Sequence, residues 1–118
     1  MEILEVLVDA REAAKAKAVL RRLQERGVAA RVQALDAGDY AVPGPEPWLV
    51  ERKTVTDLVG SIRDGRIWEQ VKALKEHGGR PVLVVEGPLS RLRRYTRFEP
   101  AAVAGLLLSI AVDWGVTV

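Results

Sequence analysis

The sequence lacks cysteine and any long apolar run, and these absences exclude several kinds of protein. Without cysteine there is no disulfide, no thiolate zinc site and no cysteine nucleophile, and the composition fits a reducing compartment. The most apolar stretch, Ala101–Val112, is too short to cross a bilayer, which takes roughly 20 residues. Ile3–Val8 is too short for a secretory signal and has no basic flank. We therefore expect an intracellular protein without a membrane span.

A large excess of charge of one sign is also missing, because 18 basic residues face 16 acidic ones for a net charge of +2. Global charge therefore says little about nucleic acid. Local charge says more, since four arginines fall within seven residues that include no acid: Arg91, Arg93, Arg94 and Arg97. Tyr95 and Phe98 are interleaved with them. This pattern predicts a phosphate-attracting patch, and the alternative is a solvated basic loop.

The hydrophobic pattern of the 118 residues predicts one domain of the α/β class. Helices are predicted around Ala16–Leu23 with a stop at Gly27, from Thr54 or Thr56 to Gly79 with an interruption at Gly65, and from Pro100 to before Gly115. Strands are predicted at Ile3–Val8, Val28–Leu35, Trp48–Lys53, Val82–Val85 and from Val116 onward. The Pro/Gly loop Pro43–Pro47 predicts an antiparallel hairpin between the second and third strands. The order βαββαβαβ implies a mixed sheet with helices on both faces.

The most informative residues lie around this hairpin. Glu51 and Lys53 are two apart on a predicted strand, so their side chains point to the same face. Asp39, in the segment Gly38–Tyr40, lies on the other side of the hairpin and is expected to approach them. Two carboxylates and a lysine suit a divalent cation, a bound water and a phosphate. Lys53 would orient the attacking water or contact the scissile phosphate.

Other charged residues are expected to support this centre. Asp9 ends the first strand and is a candidate further ligand, directly or through water, and Glu12 can reach the same place. Arg52 is expected on the opposite face of its strand. Asp57, in the first turn of the next helix, would cap that helix or orient Arg52 or Lys53 rather than bind metal directly. Each residue also has an ordinary alternative, since Asp39 alone fits a turn and the Glu51–Lys53 segment fits a solvated edge strand.

Four motifs together resemble the XPF/Mus81 (ERCC4-type) nuclease family: VDARE at Val8–Glu12, GDY at Gly38–Tyr40, VERKTVTD at Val50–Asp57 and SIRDGRIWEQ at Ser61–Gln70. The resemblance covers nearly the whole chain. It implies a restriction-endonuclease-like three-layer fold, with a mixed central sheet and helices on both faces. It also implies Mg²⁺- or Mn²⁺-dependent cleavage of branched double-stranded DNA, such as 3′ flaps, forks and splayed arms, in DNA repair and recombination.

The resemblance assigns roles residue by residue. The catalytic positions are Asp9, Asp39, Glu51 and Lys53, and the three acids among them are the implied metal ligands. The supporting positions are Glu12, Arg52, Asp57 and Arg66. Arg11 is an implied phosphate contact, together with the four arginines at 91–97. The resemblance also implies intracellular localisation, in the cytoplasm or at the nucleoid, or in the nucleus of a eukaryote.

Partners are implied by the resemblance as well. Archaeal relatives are usually homodimers that bind a sliding clamp, and the helix over Ala101–Val112 is expected in or beneath the dimer interface. Residues 1–118 correspond to a single nuclease domain without the helix-hairpin-helix domain that usually follows it. An alternative is a catalytically inactive DNA-binding or scaffold subunit of a nuclease dimer, although such subunits lose the motif acids that this chain keeps. A nucleotide-binding protein is disfavoured because no Gly-rich phosphate loop is present.

Overall fold

A computed structural model describes residues 5–77, 79–94 and 96–118. Its central feature is a five-stranded sheet with the strand order β2-β1-β3-β4-β5. The strands are β1 (Glu5–Val8), β2 (Ala29–Val32), β3 (Tyr40–Val42), β4 (Trp48–Thr54) and β5 (Arg80–Glu86). The α-helices are α1 (Ala10–Lys15), α2 (Lys17–Glu25), α3 (Val55–Asp64), α4 (Arg66–Glu76) and α5 (Pro100–Val112), and a 3₁₀ helix covers Leu89–Arg94.

The sheet is mixed, as the sequence predicts. Strand β1 runs parallel to β2 and antiparallel to β3, and β4 runs antiparallel to β3 and parallel to β5. The predicted last strand is reduced to one parallel bridge between Val82 and Thr117. The predicted first strand, Ile3–Val8, begins outside the described residues and is seen from Glu5 onward.

The prediction that Val28–Leu35 forms the first arm of the hairpin is wrong. That segment contains β2, which pairs in parallel with β1 at the edge of the sheet. The hairpin is instead formed by β3 and β4, with Tyr40 opposite Val50 and Val42 opposite Trp48. The physical reason is that a short Pro/Gly loop brings together the residues that immediately flank it, which are those of β3 and β4. Strand β2 instead follows helix α2, which forms a crossover connection from β1, so β2 pairs with β1 in parallel.

Helices cover both faces of the sheet and form two cores. On one face, Val6, Val8 and Tyr40 pack with apolar residues of α1 and α2. On the other face, a larger core includes Leu58, Ile67 and Leu107, contributed by α3, α4 and α5. No helix in the described part of the chain combines the length and the apolar character that crossing a bilayer requires.

Local sequence signals set the ends of α3, which borders the candidate site. The Thr54 hydroxyl accepts a hydrogen bond from the backbone N–H of Asp57 at 3.2 Å, so Thr54 is the N-cap. Gly65 has φ +76°, a left-handed conformation that glycine adopts without strain, and it separates α3 from α4. The predicted interruption at Gly65 is therefore confirmed, and α4 returns along the same face of the sheet.

Candidate active site

Asp39 is held in place by its own backbone and by its neighbours on two strands. Gly38 precedes it with φ +78°, and a Cβ on Gly38 would lie 3.2 Å from the carbonyl oxygen of Val50. The backbone N–H of Asp39 donates to that same carbonyl at 2.7 Å, and the Asp39 carbonyl accepts from the N–H of Asp9 at 2.8 Å. The Gly-Asp pair therefore places the Asp39 carboxylate between β1 and β4.

Glu51 and Lys53 lie on the face of β4 that packs against α3 and α4. Glu51 is paired with Leu83 of β5, and Leu83 belongs to the core on that face. Two adjoining clefts, with volumes of about 220 and 420 Å³, share Asp39, Glu51 and Lys53 among their lining residues. We call these two clefts together the site cleft. The structure thus brings together the three residues that the hairpin argument singled out.

The electrostatics of the site cleft are dominated by two close carboxylates. Burial, a hydrogen bond with Asp39 and the charge of Asp39 raise the pKa of Glu51 to about 8, and the charge of Lys53 opposes this rise only in part. Without a cation, these effects favour a proton on the pair of carboxylates. Lys53 itself is only 8% exposed. A buried ammonium beside two acids forms a polar site that a divalent cation and a phosphate would complete.

The donor set fits a hard divalent cation held by two protein carboxylates. Mg²⁺ is bound through oxygen, keeps several of its waters and commonly takes only one or two carboxylates from a protein. Asp39 and Glu51 supply such oxygens, and a cation between them would relieve the repulsion between the two carboxylates. Within residues 5–77, 79–94 and 96–118, however, no three His, Asp or Glu side chains are grouped closely enough to hold a metal ion.

Asp9, the expected third acid, has its carboxylate engaged in local structure. One oxygen accepts from the backbone N–H of Leu35 at 2.9 Å, and the other accepts from the backbone N–H and the Nε of Arg11, both at 3.2 Å. The hydrogen bond from Leu35, with further help from Arg11, lowers the pKa of Asp9. Asp9 lines the larger part of the site cleft, so a contact through water is the role that this placement favours.

Arg52 points to the opposite face of β4, as expected, and joins a buried polar network. Its Nε donates to a Glu12 carboxylate oxygen at 2.6 Å, and Nη1 donates to Glu86. The Tyr40 hydroxyl also donates to Glu12 at 2.6 Å. The hydrogen bond to Glu12 raises the pKa of Arg52, while burial and then Glu12 raise the pKa of Tyr40. Glu12 therefore ties α1 to β3 and β4.

The rim of the site cleft is basic. Lys15 and Arg66 line both of its parts. Lys15 forms an ion pair with Asp57 at 3.4 Å, and Arg66 forms one with Asp64 at 3.1 Å. Although burial raises the pKa of Asp57, the charge of Lys15 and further hydrogen bonds lower it on balance. Lys15 was not among the site residues predicted from the sequence, because it lies at the end of α1, outside every motif.

The four arginines at 91–97 are exposed, as a phosphate-binding patch requires. Leu92 is buried beneath them and anchors the 3₁₀ helix Leu89–Arg94. Arg91 lines a cleft with Thr54 and Glu86, residues at the carboxyl ends of β4 and β5. Arg93 forms an ion pair with Glu99 at 3.5 Å. Tyr95, one of the aromatics interleaved with these arginines, lies outside the described residues.

Comparison with known proteins identifies the family of this chain. A family model described as the ERCC4 domain matches residues 8–118. The chain is 33% identical over 116 residues to the 3'-flap repair endonuclease Xpf of Saccharolobus solfataricus, covering 98% of this chain and 48% of that protein. It is 34% identical over 115 residues to a putative ATP-dependent RNA helicase of Methanocaldococcus jannaschii, covering 98% of this chain but 13% of that protein.

A solved structure has the same fold as this chain. XPF from Aeropyrum pernix, in complex with DNA, superposes with a TM-score of 0.82 at 34% identity, covering 96% of this chain and 54% of that one. The present chain spans about half the length of the Saccharolobus protein and of the Aeropyrum chain.

Proposed function

This chain belongs to the ERCC4 domain family, and we propose that it is the nuclease domain of a metal-dependent endonuclease that cuts branched DNA. The observation that carries the proposal is the convergence of Asp39 and Glu51 beside the buried ammonium of Lys53 in one polar cleft. Endonucleases that bear this domain are among its relatives, including the 3'-flap repair endonuclease Xpf of Saccharolobus solfataricus. We propose the same class of substrate here, with Mg²⁺ or Mn²⁺ as the cofactor.

Phosphodiester hydrolysis requires an attacking water, neutralisation of negative charge and two proton transfers. The oxygen of a water forms a bond to phosphorus, the bond from phosphorus to the leaving oxygen breaks, and the water gives up a proton while the leaving oxygen gains one. When bound, a divalent cation supplies charge neutralisation and makes a bound water more acidic. Asp39 and Glu51 would hold that cation. Lys53 is placed to contact a phosphate oxygen or the attacking water as a positive point charge.

The basic residues around the cleft provide the DNA-binding surface of the proposal. Lys15, Arg11 and Arg66 border the site cleft, so a phosphate that reached Glu51 would pass them. The exposed arginines at 91–97 extend the basic surface beyond the carboxyl ends of β4 and β5. Phosphate contacts position DNA without reading its sequence, which suits an enzyme that recognises branches by shape.

Homodimer formation is proposed through α5. Leu108 and Val112 are 63% and 71% exposed, and their spacing of four places them on one face of the helix. Such a pair is the kind of surface that a second copy would cover. A Leu108→Lys variant should then be monomeric in light scattering under conditions in which the unchanged chain is dimeric. The sliding-clamp partner rests on the resemblance alone and stays a prediction.

A substrate panel tests the proposed activity. Labelled flap, fork, bubble and linear duplex DNAs are incubated with the chain in Mg²⁺ or in EDTA. We expect cleavage near the branch of flap and fork substrates, no cleavage of linear duplex, and complete loss in EDTA. Asp39→Asn should abolish cleavage, whereas the matched control Asp113→Asn, at the end of α5 outside the site cleft, should leave it unchanged.

The panel also separates the proposal from its alternative. Tight binding of branched DNA with no cleavage in Mg²⁺ or Mn²⁺ would indicate a DNA-binding or scaffold subunit of a nuclease dimer. Cleavage that persists in EDTA would contradict the dependence on a metal while leaving the nuclease assignment intact. Wild-type cleavage by Asp39→Asn would show that the reaction takes place elsewhere on the chain.

A further inference from the structure

The helix α3, which borders the site cleft, contains a glycine that its backbone conformation does not require. Gly60 lies inside α3, and its φ is outside the left-handed region that favours glycine. A Cβ built at this position would lie 3.5 Å from Nη2 of Arg66, which is an ordinary van der Waals contact. The fold could therefore accept alanine here, and alanine favours a helix interior over glycine. Neither the backbone nor the packing of α3 accounts for this glycine.

The glycine leaves a bare stretch of helix in the wall of the site cleft. Gly60 is half-buried and lines the smaller part of the cleft, together with Glu51 and Lys53. Arg66 lines the same part, so a side chain at position 60 would grow into the space beside its guanidinium. Because glycine has no side chain, a ligand can approach the helix backbone closely at this position.

Arg66 is held at this bare surface and can still bind an anion. Its Nη2 pairs with Asp64 at 3.1 Å, and its side chain is 55% exposed. A guanidinium has five N–H donors in a planar fork, so an ion pair through Nη2 leaves donors for a phosphate oxygen. The anion that the proposed function brings into the cleft is a phosphodiester. A phosphate that lay against Gly60 would therefore meet a cation already in place.

The exposed face of α3 connects this place with the arginine patch. Thr56 precedes Gly60 by four residues, so the two share a face of the helix and lie about 6 Å apart along its axis. Thr56 lines both the smaller part of the site cleft and the cleft that contains Arg91. Threonine hydroxyls are common donors to DNA phosphates. This face of α3 thus joins the cleft of Arg66 to the cleft of Arg91.

We propose that the backbone of the DNA strand to be cut crosses α3 at Gly60, where Arg66 holds one of its phosphates. The inference rests on the proposed nuclease function and adds a second phosphate position, distinct from the scissile phosphate beside Glu51 and Lys53. Gly60 is a positioning residue, because its missing side chain lets the phosphate reach Arg66. Thr56 continues the path of the strand toward Arg91.

The salt dependence of DNA binding provides the first test, with labelled flap DNA in EDTA, where the metal-dependent reaction does not proceed. Arg66→Ala should reduce the slope of log K against log salt by roughly 1, because one phosphate contact is lost. Gly60→Leu removes no charge, yet it should reduce the slope by about the same amount, since its side chain keeps the phosphate from Arg66. Gly60→Ala should act in the same direction by less. The matched control Ala18→Leu, at an exposed position of α2, should leave the slope unchanged.

Stability measurements distinguish this role from structural support. Gly60→Ala and Gly60→Leu should resist urea at least as well as the unchanged chain, because both residues favour a helix over glycine. Weaker DNA binding by a variant of equal or greater stability cannot come from a damaged fold. An unchanged slope in Gly60→Leu would overturn the inference, as would a loss of binding in proportion to lost stability. If Gly60→Leu fails to fold, the same two measurements on Gly60→Ala decide.

A series of modified flap DNAs tests for the phosphate itself. Each DNA carries one neutral methylphosphonate near the branch, in the strand to be cut. We expect one position at which this change weakens binding to the unchanged chain but causes no further loss with Arg66→Ala or Gly60→Leu, because the contact is already gone. If no position behaves in this way, the inference is wrong even for a chain that cleaves DNA. Such a position, with no cleavage of any DNA in Mg²⁺ or Mn²⁺, would support the inference and count against the proposed function alone.

Discussion

The carboxylate of Asp39 accepts a hydrogen bond from the backbone N–H of Arg52 at 2.8 Å. That N–H lies between Glu51 and Lys53 in the chain, so a single bond fixes the position of the Asp39 side chain relative to both. The bond links the Asp39 side chain of the Gly-Asp motif directly to the backbone of the Glu-Arg-Lys motif. It also means that Asp39 has a structural role in addition to its proposed role as a ligand.

Substitutions of Asp39 should separate these two roles. Asp39→Asn keeps an oxygen that can accept from Arg52 and removes the charge, so we expect no cleavage, normal DNA binding and near-normal stability. Asp39→Ala removes the acceptor as well and should lower the free energy of unfolding by about 1 kcal/mol. Urea unfolding and a nuclease assay measure both effects. Equal stability of the two variants would contradict the structural role.

The raised pKa of Glu51 makes the stability of the cation-free chain depend on pH. Its folded pKa is about 8, against about 4.5 for an ordinary glutamate. Between these values the folded state holds a proton that the unfolded state has lost, so the free energy of unfolding falls as pH rises through this range. The contribution is complete below about pH 4.5 and lost above about pH 8.

Glu51→Gln should remove this dependence, because a neutral amide has no proton to lose. In EDTA, we expect the stability difference between Glu51→Gln and the unchanged chain to grow in favour of the variant as pH rises from 5 to 9, reaching about 1–3 kcal/mol. Asp9 and Asp57 do not affect this comparison. Their pKa values are lowered, so their contributions to stability change with pH only in more acidic solution. A difference that is flat with pH would show that Glu51 is ionised throughout.

The sequence predicted the parts of the site that depend on local geometry. The spacing of Glu51 and Lys53 fixes their common face once β4 is a strand, and the same rule sends Arg52 to the other face. Thr54 and Gly65 delimit α3 through capping and backbone conformation, which are local as well. The mixed sheet with helices on both faces followed from the order of elements, and the family resemblance named the same architecture.

The remainder depended on contacts between distant segments. One oxygen of the Asp9 carboxylate accepts a hydrogen bond from the backbone N–H of Leu35, 26 residues further along the chain. No motif in the sequence indicates this contact. Lys15 lies at the end of α1 and pairs with Asp57 of α3, 42 residues further along the chain. The parallel pairing of β2 with β1 was not predicted, because alternating apolar residues indicate a strand but do not show which other strand it pairs with.

The arginine patch should govern the salt dependence of DNA binding. Replacing Arg91, Arg93 and Arg94 together with alanine should weaken binding and reduce the slope of log K against log salt by roughly 2–3, since each phosphate contact contributes about 0.9. The matched control replaces three other exposed arginines: Arg21 and Arg22 of α2, and Arg26, which follows that helix. That control should leave the slope unchanged. Equal slopes for both triple variants would indicate that the patch is only a solvated loop.

The two carboxylate partners of Arg52 should contribute very unequally to stability. Glu12 is buried and accepts from both Arg52 and Tyr40, whereas Glu86 is 57% exposed. Removing one member of a buried ion pair leaves an uncompensated charge and costs roughly 3–5 kcal/mol, while an exposed pair contributes at most about 1 kcal/mol. Glu12→Gln should therefore destabilise the chain strongly, and Glu86→Gln should change stability little.

This comparison is well controlled, because both variants remove one negative charge from the same guanidinium. Thermal and urea unfolding at pH 7 would measure the difference. Tyr40→Phe provides an intermediate case, since it removes one hydrogen bond to Glu12 and leaves the ion pair intact, at a cost of about 1 kcal/mol. If Glu12→Gln and Glu86→Gln proved equally stable, Arg52 would be held by packing, and Glu12 would be free to take part in the site cleft that it also lines.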